Sequence, residues 1–179
     1  MKKIFLSILF LASITISNSQ EWETFKSLEF EFKSDFPGVP YSTVQNVPTD
    51  VGEIKIDMFI LDKSSDTSSK NSLFLVSHNI YPEESFKDMT AEGESSVLDN
   101  AVYGSLNSVK GKLLYNNEIE FNGYPGRSSK IEMSGSFVYL NIYLVYNTMY
   151  MQQVICLNEN DNNRDIKQFL NSFELIKTK

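Results

Sequence analysis

The side chains able to do chemistry are few and scattered. His78 is the sole histidine and Cys156 the sole cysteine. His78 follows Ser77 inside LFLVSHNI, an alternating stretch that reads as a strand. Adjacent strand residues point to opposite faces, so Ser77 and His78 cannot act together as nucleophile and base. A serine from elsewhere could approach His78 and an Asp could orient it, but no nucleophile elbow of the form G-x-S-x-G is present. The preferred reading is a sheet-face or surface histidine. Cys156 lies in QQVICLN in phase with Val154, where free cysteine behaves as a small buried hydrophobe, and no neighbour in sequence would lower its pKa. One His, one Cys and carboxylates without short ligand spacings do not preorganise zinc, so neither metal nor cofactor is expected. NENDNNRD (Asn158 to Asp165) offers hard oxygens but lacks the central Gly and final Glu of an EF-hand, and reads as a polar loop capping a helix. Glu83 and Glu84 read as acids at a helix start. A carboxylate pair at glycosidase spacing is a spatial matter that stays open.

The aromatic residues form a more concentrated set. Tyr139, Tyr143, Tyr146 and Tyr150 fall within one stretch, with Tyr115 and Tyr124 before it. Tyr139 and Tyr143 share a strand face, and tyrosine joins an apolar body to a hydrogen-bonding tip. Covered by a helix, that face is core; left open, it is a recognition surface. The covered reading is preferred, and the open one makes Tyr139, Tyr143, Arg127 and Tyr124 the ligand-binding candidates. Arg127 closes NGYPGR, two turn signals in succession. Asn122-Gly123 predicts a type I′ turn, and Pro125-Gly126 predicts a type II turn beside it. The pair reads as a kinked hairpin joining EIEF to SKIEM in preference to a ligand loop.

The elements that must position these residues follow from periodicity. LEFEF (Leu28 to Phe32) and GEIKIDMFILD alternate apolar and polar residues as half-buried strands, the second with Ile54, Ile56, Met58 and Ile60 on one side. The prolines at 37, 40 and 48 between them predict a turn and an edge strand near Tyr41 to Asn46. KSSDTSSKNS (Lys63 to Ser72) is a polar loop expected to be disordered, and LFLVSHNI resumes the strand pattern. From Pro82 the period changes. Phe86, Met89, Gly93, Val97, Ala101 and Gly104 recur at helical spacing and predict a helix of about twenty residues, with Gly93 marking close approach to the sheet. Four further alternating runs follow, the last two separated by a tight break at Asn147-Thr148. Ile166, Phe169, Leu170 and Phe173 predict a final helix capped by Asp161, Asn162 or Asn163.

Compartment and charge narrow the function. MKKIFLSILFLASITISNSQ has a short positive end, an apolar run too short for the roughly 30 Å membrane core, and small residues at Ser17 and Ser19. It reads as a signal peptide over residues 1–19, cut before Gln20, which places a single domain over 20–179 in the periplasm or outside the cell. No later stretch reads as a membrane span. A lone cysteine allows no internal disulfide, so stability must come from a packed core. Without Lys2 and Lys3 the chain carries 14 basic against 23 acidic residues, scattered singly, which excludes nucleic acid as a partner.

Several segments, in order, match one pattern: FKSDFPGVP, GYPGR after EIEFN, FVYLNIYLVYNTMYMQQV and IKQFLNSFEL. They resemble the PsbP-like proteins, whose fold is shared with the Mog-type Ran-binding proteins and with bacterial exported proteins. The resemblance spans about Leu28 to Leu175. It implies an α/β/α sandwich, a central, mostly antiparallel sheet of about eight strands with helices on both faces, and action by binding, not catalysis. The founding members influence ion binding at the oxygen-evolving cluster of photosystem II. No residue here matches a motif for that docking, and an exported chain does not meet the nuclear GTPase Ran. The expectation is an exported, non-catalytic binding or assembly domain for a protein or small ligand, as a monomer or weak dimer. The alternative is a hydrolase with a carboxylate or His78 site between sheet and helix.

Overall fold

Alternation in the second half of the chain is long and regular, and it builds four of the seven strands of the larger sheet. A computed structural model describes residues 21–49 and 52–176. The leader expected at residues 1–19 lies outside the described residues. The strands are β1 (Glu23–Ser27), β2 (Phe32–Phe36), β3 (Tyr41–Thr49), β4 (Gly52–Asp62), β5 (Asn71–Ile80), β6 (Lys112–Phe121), β7 (Tyr124–Met133), β8 (Ser136–Val145), β9 (Thr148–Leu157) and β10 (Glu174–Leu175). The helices are α1 (Ala91–Val109) and α2 (Arg164–Leu170). β3-β4-β5-β9-β8-β7-β6 form a seven-stranded antiparallel sheet, and β1-β2-β10 form a separate three-stranded one.

Period-two alternation sends successive side chains of the large sheet into two separate cores. Val138, Leu140, Ile142, Leu144 and Met149 meet Leu98 and Val102 of α1 on one face. Tyr139, Tyr143, Tyr150 and Val154 meet Phe32 and Phe36 of β2 and Ile166 and Phe169 of α2 on the other. The second face is therefore covered by a small sheet with a short helix beside it, where the resemblance implies helices alone. About eight strands in one sheet becomes seven plus three.

The difference begins at the N-terminus. LEFEF is a turn, not a strand: Leu28 is exposed, Glu31 takes a left-handed φ of 54°, and pairing resumes only at Phe32. β2 instead alternates Phe32, Ser34 and Phe36 inward, and Phe32 stacks on Phe173 with ring centroids 5.8 Å apart. The helix expected from Pro82 starts later. Thr90 accepts from the Gly93 N–H as N-cap, and Phe86 and Met89 belong to the preceding turn. Gly93 approaches Met89 rather than the sheet: a Cβ there would lie 2.9 Å from Met89 Cγ. Asn163 caps α2, its Oδ1 accepting from the Asp165 and Ile166 N–H groups. The loop after β4 is hydrogen-bonded, with the Lys63 N–H donating to the Ser72 carbonyl at 2.8 Å.

The hairpin turns refine the sequence reading. Asn122 and Gly123 take φ of 53° and 85°, as a type I′ turn requires. Pro125 and Gly126 form no second turn; both lie in β7, opposite Glu120 and Ile119 of β6. β8 begins to pair with β7 only at Gly126, so the donor that Pro125 lacks is not called upon there. Between β8 and β9 the turn is Tyr146-Asn147, one residue earlier than expected, with Tyr146 at a φ of 56°.

Candidate functional site

The four ligand candidates read from sequence do not gather at one place. Arg127 is 4 % exposed on the face that carries α1, opposite Ile142 of β8, whereas its neighbour Gly126 pairs with Tyr143, whose side chain lies in the opposite core. Arg127 Nε donates to Asp99 Oδ1 at 2.7 Å, and its Nη groups donate to Ser95 Oγ and the Gly126 carbonyl. The hydrogen bond from Arg127 holds the Asp99 carboxyl below its ordinary range. Asn116 extends the network by donating to Asp99 at 2.9 Å and accepting from Ser129 at 2.7 Å. Arg127 thus ties α1 to β7. The shallow groove beside it, of about 730 Å³, is also lined by Glu92, Glu94, Glu118 and Glu120, which repel an anion from the guanidinium.

The tyrosine face is covered. Tyr143 is 5 % exposed, stacked on Phe173 at 5.4 Å and tilted against Phe121 at 4.7 Å. Tyr139 donates a short hydrogen bond to Asp161, which also receives Lys130 Nζ at 2.8 Å. Burial, together with that carboxylate, pushes the Tyr139 phenol up to about 12. Tyr124 is half-buried, its ring edge-on to exposed Tyr146 at 5.4 Å.

His78 also lies inside. Its ring sits 4.7 Å from Phe30 and 5.2 Å from Tyr150, and its buried Nδ1 makes no hydrogen bond among the described residues. Burial pushes its pKa down despite Asp57 on the neighbouring strand. Ser77 points to the opposite face, as alternation requires. Cys156 is fully buried, and burial pushes its thiol up to about 11, away from the thiolate form that a nucleophile needs. Among the described residues no three His, Cys, Asp or Glu side chains stand close enough to share a metal ion. None of the described helices is long and apolar enough to cross a membrane.

A second concave feature lies on the α1 face, and the sequence reading did not single it out. α1 packs over β6, β7 and β8, leaving the β3-β4-β5 end of the same face open. The groove between has a volume of about 950 Å³, at the upper end of the roughly 300–1,000 Å³ typical of small-molecule sites. Its floor comes from Ile54, Ile56 and Met58 of β4, Leu75 of β5, and Met149 and Met151 of β9. Its wall is one stripe of α1, from Val97 through Ala101 and Gly104 to Ser108, and Phe86 and Met89 of the segment before α1 line it as well. Among the described residues none that lines it is charged, in a chain that is 22% Asp, Glu, Lys and Arg. The sequence carried a sign of it in the apolar side of GEIKIDMFILD, but only the order β3-β4-β5-β9 joins that side to Leu75 and the two methionines.

No family model matches the chain, and no curated protein matches it. Among solved structures it is similar to the solution structure of cyanobacterial PsbP (CyanoP) from Synechocystis sp. PCC 6803, with a TM-score of 0.57 at 9% identity over 92% of this chain and 98% of that one. The fold is PsbP-like. A crystal structure from Bacteroides thetaiotaomicron VPI-5482 is matched at 11% identity over 82% of this chain and 46% of that one, with a TM-score of 0.45.

Proposed function

We propose that this chain is an exported, non-catalytic binding domain of the PsbP type. Its ligand seat is the groove between α1 and the β3-β4-β5-β9 floor. The carrying observation is the contrast between that groove, open and without a charged side chain among the described residues, and the reactive side chains, which are engaged elsewhere. Arg127 bridges helix and sheet, Tyr139 and Lys130 converge on Asp161, and His78 and Cys156 are enclosed by apolar neighbours. A hydrolase needs a base beside a nucleophile in an accessible cleft, and although Ser77, Ser85, Ser105 and Ser108 line this one, no His, Asp or Glu does among the described residues.

On this reading residues 1–19 are removed on export, and the domain from Gln20 to Lys179 acts in the periplasm or outside the cell as a monomer or weak dimer. The finer α/β/α description belongs to the same proposal, with the small sheet forming part of one outer layer. To test it, the chain from Gln20 is isolated from an exporting host, extracted with organic solvent and analysed by mass spectrometry, in parallel with ester and glycoside turnover assays. An apolar compound held in stoichiometric amount, with no turnover, is expected. Turnover lost on His78→Ala would overturn the reading.

A further inference from the structure

Resting on that assignment of the groove, we infer that its ligand is a small uncharged molecule: an apolar chain or ring ending in a neutral hydrogen-bonding group. The lining decides this by complementarity. A carboxylate, phosphate or ammonium entering the groove would lose hydration and meet no opposite charge among the described lining residues. A hydroxyl or amide faces no such penalty, because Gln45, Ser77, Asn79, Asn100 and Gln153 supply neutral donors and acceptors along the same walls. The remaining surface suits hydrocarbon. Met58, Met89, Met149 and Met151 are unbranched and polarisable, and so adapt to an apolar guest of varied shape.

Gly104 gives independent support. It lies inside α1 with no positive φ, and a Cβ built on it finds nothing within 4 Å. Glycine in a helix interior is less favourable than alanine, and no close packing among the described residues requires it here. Its place is on the groove wall, where a side chain would occupy the space of a ligand. The volume fits one small molecule.

The test uses the chain from Gln20 and N-phenyl-1-naphthylamine, an uncharged probe that fluoresces on leaving water. Decanol, decanoate and decyltrimethylammonium then compete at pH 8, each carrying the same chain length. Decanol is expected to displace the probe at least about tenfold better than either charged competitor, equivalent to about 1.4 kcal/mol. Gly104→Leu is expected to weaken probe binding by about tenfold or more while the melting temperature stays level or rises, because leucine is the better helix former. Probe binding that Gly104→Leu abolishes, with decanoate competing as well as decanol, overturns the uncharged ligand and leaves the seat standing. Absence of probe binding, or wild-type binding by Gly104→Leu, overturns the seat itself.

Discussion

Asp99→Asn is expected to destabilise the protein more than Arg127→Met, although Arg127 is the larger and more buried partner. The Arg127 side chain is 5% exposed and that of Asp99 37%. Removing the carboxylate charge leaves a guanidinium almost without water. Its remaining partners are neutral oxygens of Ser95 and Gly126, and the exposed Glu118 carboxylate at 3.6 Å. Stranding one member of a buried pair costs about 3–5 kcal/mol. Water reaching the Asp99 side, together with Glu118, reduces that to about 2 kcal/mol. Arg127→Met replaces the stem with an apolar chain of similar length, while Asp99 keeps Asn116 at 2.9 Å and its access to water, so the expected cost is about 0–1 kcal/mol. Urea unfolding at pH 7 with unchanged m-values measures both. The Asp99 pKa is depressed in the folded state, so its stabilisation is present above the unfolded value of about 3.9 and is lost as pH falls through the folded value. The gap between wild type and Asp99→Asn should therefore close below about pH 4. A larger loss for Arg127→Met, or a gap unchanged down to about pH 3, would refute this account.

A Cβ on Gly126 would lie 2.5 Å from the Ile142 carbonyl oxygen and 2.9 Å from Tyr143 Cδ1, so Gly126→Ala is expected to lose about 1–3 kcal/mol in the same unfolding assay; a wild-type midpoint would contradict the close approach. Burial depresses the His78 pKa, so its contribution is complete above the unfolded value of about 6.5 and is lost as pH falls toward the folded value. With no other histidine present, His78→Phe should flatten the stability profile between about pH 5 and 7, and a slope that survives the substitution would point to another group. Asn163→Ala removes the cap of α2 and the 2.9 Å hydrogen bond from Asn163 Nδ2 to Asn71 Oδ1, with an expected loss of about 1–2 kcal/mol that Asn163→Asp, which keeps the cap, should partly restore.

Much of the large sheet was legible because its alternation is long and its turns carry chemistry. Asn122-Gly123 named its own turn type, and Leu73 to Ile80 gave strand and phase together. LEFEF misled because its alternation is as clean as that of a strand. What decides its form is the left-handed backbone at Glu31 and the tertiary pairing of Phe32–Phe36 with β1 and β10. Pro125-Gly126 misled for a related reason: glycine answers to close contact as well as to positive φ, and only the neighbouring strand reveals which applies. Nothing local to Arg127 announces Asp99, which reaches it from a helix that crosses the sheet. The groove was less legible still, since its floor joins strands from both halves of the chain.

The pairing of β5 with β9 at the middle of the large sheet sets the order in which the molecule can be completed. α1 and all of β6, β7 and β8 lie between those two strands in sequence. Until the chain has been made as far as Leu157, β5 has an unpaired edge, and the β3-β4-β5 ribbon lacks the neighbour that anchors it. The small sheet waits longer, because β10 is its third strand. Joining segments so distant makes folding slow, since loop closure precedes the contacts that reward it. A nascent chain of this topology stays unclosed through most of its synthesis, and one cut short before Thr148 leaves a bare strand edge open to other chains.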